Sequence, residues 1–398
     1  MYDFNIKIDR RLGHSRKWNP QLIATKFGLG EGAIPLDLAD VDVAVAEPIR
    51  EALVKRAMVP DYSYTFVPDE FYDAVIDWNK RRFQQVIEKE WIKLTFGTVS
   101  TLHYIVQAFS KEKEAILINT PAYAPFAEAV LHNGRTLLTS SLINRENRYY
   151  IDFEDIEYQF RTNDVKIYIL CSPQNPSGRV WTKDELNRLA ELCLTYQVLL
   201  VCDEIHRDIL FEVESFTTIA NAHPKIMDQC ILCLSPNKAF NLGGLKTSYV
   251  VIKNPILRQI FYQQLEANSI TSPHVFAVPA IIAAYTHCEA WLDEWTAYIK
   301  ENMNLLHHCF EDIPEAIIMP AESSFLAWID VHQLFHNEEE MTAFFKEANL
   351  TMVPGSYFVQ DGEGFVRICV GLPRDTWLTV LERIKKTYLN YKKRSLEK

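Results

Sequence analysis

Short apolar runs punctuate the middle of the chain: AILIN (115–119), IYILC (167–171), VLLVC (198–202), ILCL (231–234) and YVVI (249–252). Few polar residues interrupt them, the pattern of strands covered on both faces. Stretches with helical spacing, such as Asp69 to Phe83 and Lys183 to Tyr196, alternate with these runs. Strands alternating with helices predict an α/β fold on a largely parallel sheet. From about Pro273 the pattern turns helical, with one long helix expected near Ala277 to Phe310. FLAWIDV (325–331) and FVRICVGL (365–372) then read as strands of a smaller C-terminal layer. The first residues read as an arm: a short helix, then the turn-rich EGAIPLDLADVDVAVAEP (31–48). We therefore expect an arm over 1–46, a large domain over 47–280 and a small domain over 281–398.

Length agrees with that division, since 398 residues exceed one ordinary core. The net charge of −11, with no basic cluster, argues against nucleic-acid binding, where Lys and Arg must neutralise phosphates. The opening MYDFNIKIDRRLGHSRKW lacks the apolar core of a signal peptide, and no apolar run is long enough to cross a bilayer. The expectation is a cytoplasmic protein without membrane contact. Of eight cysteines, Cys171, Cys202, Cys230, Cys233 and Cys369 fall in or beside strand-like runs, as small buried side chains do. CILC (230–233) has CxxC spacing but no second pair at metal-site spacing, and the histidines form no HExxH cluster, so no metal is expected.

Polar residues collect where the apolar runs stop. TPAYAPF follows AILIN, SPQNPSGR follows IYILC, DEIHRD follows VLLVC, and SPNKAFNLGGLK follows ILCL. Ligands of open α/β sheets bind outside the carboxyl ends of the strands. Four consecutive strand ends bearing Tyr, Asn, Asp/His and Ser/Lys therefore read as walls of one pocket. A lysine held in a pocket forms a Schiff base with a carbonyl. An aspartate at the end of a buried strand needs a cationic partner, unless it merely caps a helix. Lysine plus aspartate suits pyridoxal 5′-phosphate (PLP): an amine for its aldehyde, and a carboxylate to keep its ring nitrogen protonated.

SPNKAFNLGGL, CSPQNPSGR and DEIH together resemble the class I/II aminotransferase superfamily, PLP fold type I. The chain is more narrowly similar to the cystathionine β-lyase-like C–S lyases, from FNIKIDRR…KW to FVRICVGLPR. The resemblance implies a mostly parallel mixed sheet covered by helices, with a smaller α/β C-terminal domain. It implies Lys238 as the Schiff-base lysine and proton shuttle, Asp203 as partner of the ring nitrogen, and Asn175 as donor to the phenolic oxygen. His206 stands where many relatives have Tyr, and Tyr123 matches the aromatic stacked on the ring. Thr98, Val99 and Ser100, in FGTVSTLH, are phosphate candidates at a helix N-terminus, where free N–H groups favour an anion. Ser235 and Lys246 add a hydroxyl and a charge; many relatives carry Arg at the latter position. Tyr64 of DYSYTF, or its neighbour Tyr62, matches the tyrosine that reaches the phosphate of the second subunit of a homodimer. Arg367 matches the clamp on the substrate α-carboxylate, where a planar fork suits two oxygens, with Asn175 and Tyr123 beside it. The implied substrate is an α-amino acid.

The branch resemblance favours β-elimination from cystathionine or a related cysteine S-conjugate to thiol, pyruvate and ammonia. The alternative is an aminotransferase with an oxo-acid acceptor. Three positions depart from the branch: Asp37 stands where Trp is common, Val43 where Phe is, and Cys369 where Asn is. A carboxylate at 37 is expected to bear on the substrate's side chain if it faces the entrance.

Overall fold

The computed structural model describes residues 2–212 and 216–396. The arm holds α1 (Pro20–Phe27), started by Asn19, whose side chain accepts from the backbone N–H of Gln21 and Leu22. It is followed by α2 (Glu47–Ala57), α3 (Asp69–Phe83), β1 (Ile92–Thr95), α4 (Thr98–Phe109), β2 (Ala115–Thr120), α5 (Ala124–Leu131) and β3 (Thr136–Ser141). A small hairpin of β4 (Ile143–Arg145) and β5 (Arg148–Tyr150) leads to α6 (Phe153–Thr162), β6 (Val165–Cys171) and α7 (Lys183–Tyr196). Next come β7 (Leu199–Asp203), α8 (Ile219–Ala222), β8 (Cys230–Leu234), β9 (Ser248–Val251) and α9 (Pro255–Ala267). The C-terminal part comprises α10 (Ala277–His287), α11 (Glu289–Phe310), β10 (Ile317–Ile318), β11 (Leu326–Asp330), α12 (Glu338–Glu347), β12 (Val353–Pro354), β13 (Phe365–Cys369) and α13 (Arg374–Leu396).

Seven strands form the main sheet in the order β1-β9-β8-β7-β6-β2-β3. The five from β8 to β3 are parallel; β9 runs antiparallel to both β8 and β1. The chain leaves β2 for β3 on one side and returns to β6 on the other, so the order reverses at β2. Strand side chains alternate between two cores, as a period of two requires. Ile167, Ile169, Leu199, Val201 and Ile231 pack with α4, α5 and α9. Tyr168, Leu170, Leu200, Cys202 and Leu232 pack with α3, α7 and α10. Burial on both faces explains the uninterrupted apolar runs of the sequence.

The one long helix expected near Ala277–Phe310 is two helices instead. Cys288, at φ −115° and ψ 17°, leaves helical geometry between them. The second, antiparallel sheet runs β10-β11-β13-β12, with Arg367 of β13 paired to Trp328 on one side and Val353 on the other. Trp328 and Phe365 stack with ring centroids 4.9 Å apart. All eight cysteines are buried and unpaired.

Candidate active site

Asp203 ends β7 in register with Leu199 and Val201, so its carboxylate falls on the α4 face of the sheet. Neighbouring strand ends supply the rest. Asp203 pairs with Cys171 of β6 and Cys233 of β8, and Lys238 follows β8 after a short turn. Lys238, Asp203, Asn175, His206 and Tyr123 line one cavity of about 180 Å³. Burial lowers the Lys238 amine to about 8, helped by the nearby Arg367 charge. The same burial raises Asp203 to about 7, against an Ile205 N–H bond at 3.1 Å and the charge of Lys238. Burial and the two cations hold His206 down to about 3, so the ring is neutral; its Nδ1 lies 3.2 Å from Ser324 Oγ. Tyr123, pushed up to about 12 by burial, keeps its proton.

The other end of the cavity is the start of α4. Thr98, Val99, Ser100 and Lys246 line it. Gly97 caps the helix at φ +90°, a conformation that L side chains rarely adopt, and donates its N–H to Ser248 Oγ at 2.8 Å. The Thr98 hydroxyl is buried without a hydrogen-bond partner. Ser100 donates to Phe96 O, just before the helix, 3.2 Å away. Lys246 is exposed, with its stem against Gly97.

Arg367 is not among the residues that line the cavity, though its charge acts on Lys238, His206 and Tyr123. Its Nη1 donates to Asn175 Oδ1 at 3.3 Å and its Nη2 to the backbone carbonyl of Asp37 at 2.9 Å; buried Nε has no partner. Ser235 is not brought to the lining: its hydroxyl donates to Thr247 O at 2.6 Å and accepts from Asn237 N. Tyr64 lies outside the cavity and is 95% exposed; Tyr62 donates to Ala57 O at 2.5 Å. The Asp37 carboxylate turns to Thr351 Oγ1 at 2.6 Å and Lys26 at 3.5 Å, while its backbone carbonyl meets Arg367.

Sequence reasoning missed two features here. Asn237 also lines the cavity and receives a hydrogen bond from Thr247. The Ala39 carbonyl accepts from Lys238 Nζ at 2.7 Å. Its neighbour to Lys238, the asparagine of SPNK, was visible; a backbone carbonyl leaves no trace in residue identity.

A family model for class I and II aminotransferases matches residues 24–384. The chain belongs to that family. Within it, the chain is similar to cystathionine β-lyase PatB of Bacillus subtilis, 34% identical over 382 residues and covering 95% of this chain and 98% of that protein. Protein MalY of Escherichia coli is 30% identical over 378 residues, covering 94% and 95%. The structure of cystalysin from Treponema denticola, which contains PLP, superposes with a TM-score of 0.94 at 31% identity, covering 98% of this chain and 99% of that one. The cavity suits that cofactor. An amine that burial brings near neutrality faces a buried carboxylate lacking a strong cationic partner, and an orphan hydroxyl at a helix N-terminus awaits an anion.

Proposed function

We propose that this protein is a PLP-dependent C–S lyase that eliminates a thiol from cystathionine or a related cysteine S-conjugate, leaving pyruvate and ammonia. The carrying observation is the meeting of Lys238 and Asp203 in one cavity, each shifted toward its neutral form. When bound, the cofactor supplies an aldehyde for an amine and a protonated ring that draws electrons from the substrate α-carbon. Asp203 is the carboxylate that holds the ring-nitrogen proton, and in doing so gains the cation its burial demands. The Lys238 amine, substantially neutral at pH 8, takes the proton from the substrate Cα. Arg367 binds the α-carboxylate; the orphan Nε and two uncharged partners leave its charge unpaired for an anion. Asn175, neutral His206 and Tyr123 line the cavity and would hold the ring, the first two by hydrogen bonding and Tyr123 by stacking. Thr98, Val99, Ser100 and Lys246 receive the phosphate.

The resemblance to PatB, a cystathionine β-lyase, supports elimination over transamination. We also infer a homodimer in the cytoplasm, with Tyr64 reaching the second subunit's phosphate site. The arm is residues 1–46, the cofactor domain 47–280 and the small domain 281–398. Among the described residues no helix is long and apolar enough to cross a membrane. The test uses PLP-loaded protein with L-cystathionine in one assay, and oxoglutarate with a panel of amino acids in another. Pyruvate and free thiol from the first are expected. Glutamate from the second, with the first silent, would make the protein an aminotransferase.

A further inference from the structure

Between Leu36 and Val43 the arm forms a strap that reaches the cavity at Ala39, and side chains take up its carbonyls one after another. The Asp37 carbonyl accepts from Arg367, that of Ala39 from Lys238, that of Asp40 from Lys17 at 2.7 Å, and that of Val41 from Arg10 at 3.1 Å. Asn241 donates to Val41 O and Val43 O at 3.2 and 2.9 Å. Backbone bonds lay the strap along β13: Cys369 N–H to Leu36 O and Asp42 N–H to Gly371 O, both 2.9 Å. A Cβ on Gly371 would lie 2.5 Å from Val41 Cγ1, so the approach requires glycine.

Asp42 is the node of this arrangement. One carboxylate oxygen accepts from Arg10 Nη1 at 2.5 Å and Trp18 Nε1 at 3.0 Å; the other accepts from Lys17 Nζ at 3.0 Å. Arg10 also reaches Asp40 at 2.6 Å. The Lys17 and Asp42 side chains are nearly or wholly buried. Burying such charges is a poor source of net stability, and its best-attested use is to select one arrangement. The arrangement selected here puts carbonyls on Lys238 and Arg367.

We propose, resting on the lyase reading above, that Asp42 is a positioning residue: it gathers Arg10, Lys17 and Trp18, fixes the strap 37–41, and so sets where the Lys238 amine and the Arg367 guanidinium sit. Asp42 touches neither group; it acts through the backbone of Asp37 and Ala39.

The test compares the PLP-loaded wild type with Asp42→Asn and Trp18→Phe, the latter removing one donor to Asp42 while keeping most of the ring. Steady-state kinetics with L-cystathionine, the visible circular dichroism of the bound cofactor, and melting temperature are read together. Asp42→Asn is expected to lower kcat/KM about thirtyfold and Trp18→Phe about fivefold, the scale of losing charge-assisted and single hydrogen bonds. Both are expected to alter the cofactor dichroism. A lower melting temperature with kcat/KM and dichroism unchanged would overturn the proposal, since the cluster would then only hold the arm down. If Asp42→Asn does not fold, Trp18→Phe decides by the same two readouts. If the wild type releases no thiol from cystathionine, the substrate reading fails, and the dichroism alone decides whether Asp42 positions the site.

Discussion

Lys238 and Asp203 are driven toward neutrality by one cause, the loss of water, and each needs the cofactor to be comfortable. The sign of the effect can be followed for Asp203, whose carboxyl stands at about 7 when folded against 3.8 ordinarily. Without cofactor, the folded protein holds the extra proton between those values, so this group's contribution to stability falls as pH rises through the window. Cofactor-free Asp203→Asn protein is therefore expected to melt above the wild type at both pH 5 and pH 8, by the wider margin at pH 8. With cofactor bound the variant is expected to melt below the wild type at pH 8, because the ring nitrogen's positive charge then offsets the carboxylate. Calorimetric scans at the two pH values check both statements, and a difference independent of pH would remove Asp203 from this role. The residue scale was also the most legible in the sequence. Lys238, Asp203 and Asn175 follow strands whose burial on both faces made them conspicuous. Arg367 was named through resemblance, because a strand arginine alone does not disclose its missing anion. The Ser235 hydroxyl satisfies the turn that carries Lys238, a contact that residue identity alone does not disclose.

At the scale of elements, the start of α4 joins helix geometry to anion binding. Gly97 holds φ +90°, and its Cβ equivalent would meet only the Lys246 side chain, Cδ at 3.5 Å and Cβ at 3.9 Å, both ordinary contacts. Gly97→Ala therefore suffers from backbone strain rather than crowding, about 1–3 kcal/mol. Because that strain falls on the turn presenting Thr98, cofactor affinity is expected to drop about tenfold or more, as 1.4 kcal/mol is a factor of ten. Titrating cofactor-free protein with PLP measures it; unchanged affinity would detach this turn from the phosphate. The strands of the main sheet were readable from apolar runs, whereas β1 and β3 at its edges were not, since β3 leaves most of its side chains partly exposed. The break at Cys288 has no Gly or Pro to announce it, so helical spacing ran through it.

For the whole molecule, the exposed run of Met58, Val59, Tyr62, Tyr64 and Phe66 on one chain fits the proposed homodimer, where such side chains find cover. If Tyr64 completes the neighbouring site, two defective proteins can repair each other. Lys238→Ala and Tyr64→Ala are each expected to be strongly impaired. Subunit exchange between them pairs an intact lysine with an intact tyrosine in one site of each mixed dimer. Random mixing then restores activity to about a quarter of the wild-type level. No recovery, with mixed dimers demonstrated by mass spectrometry, would place Tyr64 outside the shared site.

The eight buried, unpaired cysteines carry a consequence for an enzyme proposed to release a thiol at every turnover. Burial pushes their thiols up, Cys288 and Cys309 to about 11 and Cys171, which lines the cavity, higher still. Thiolates are the species that attack disulfides and electrophiles, so the folded protein is expected to react slowly with a thiol product and with the disulfides such a product forms on standing in air. Iodoacetamide is expected to leave the native holoenzyme unlabelled for as long as it stays folded, and to add eight groups once it opens. Mass spectrometry over time would then turn these cysteines into a clock for unfolding, ticking only when the chain lets water in.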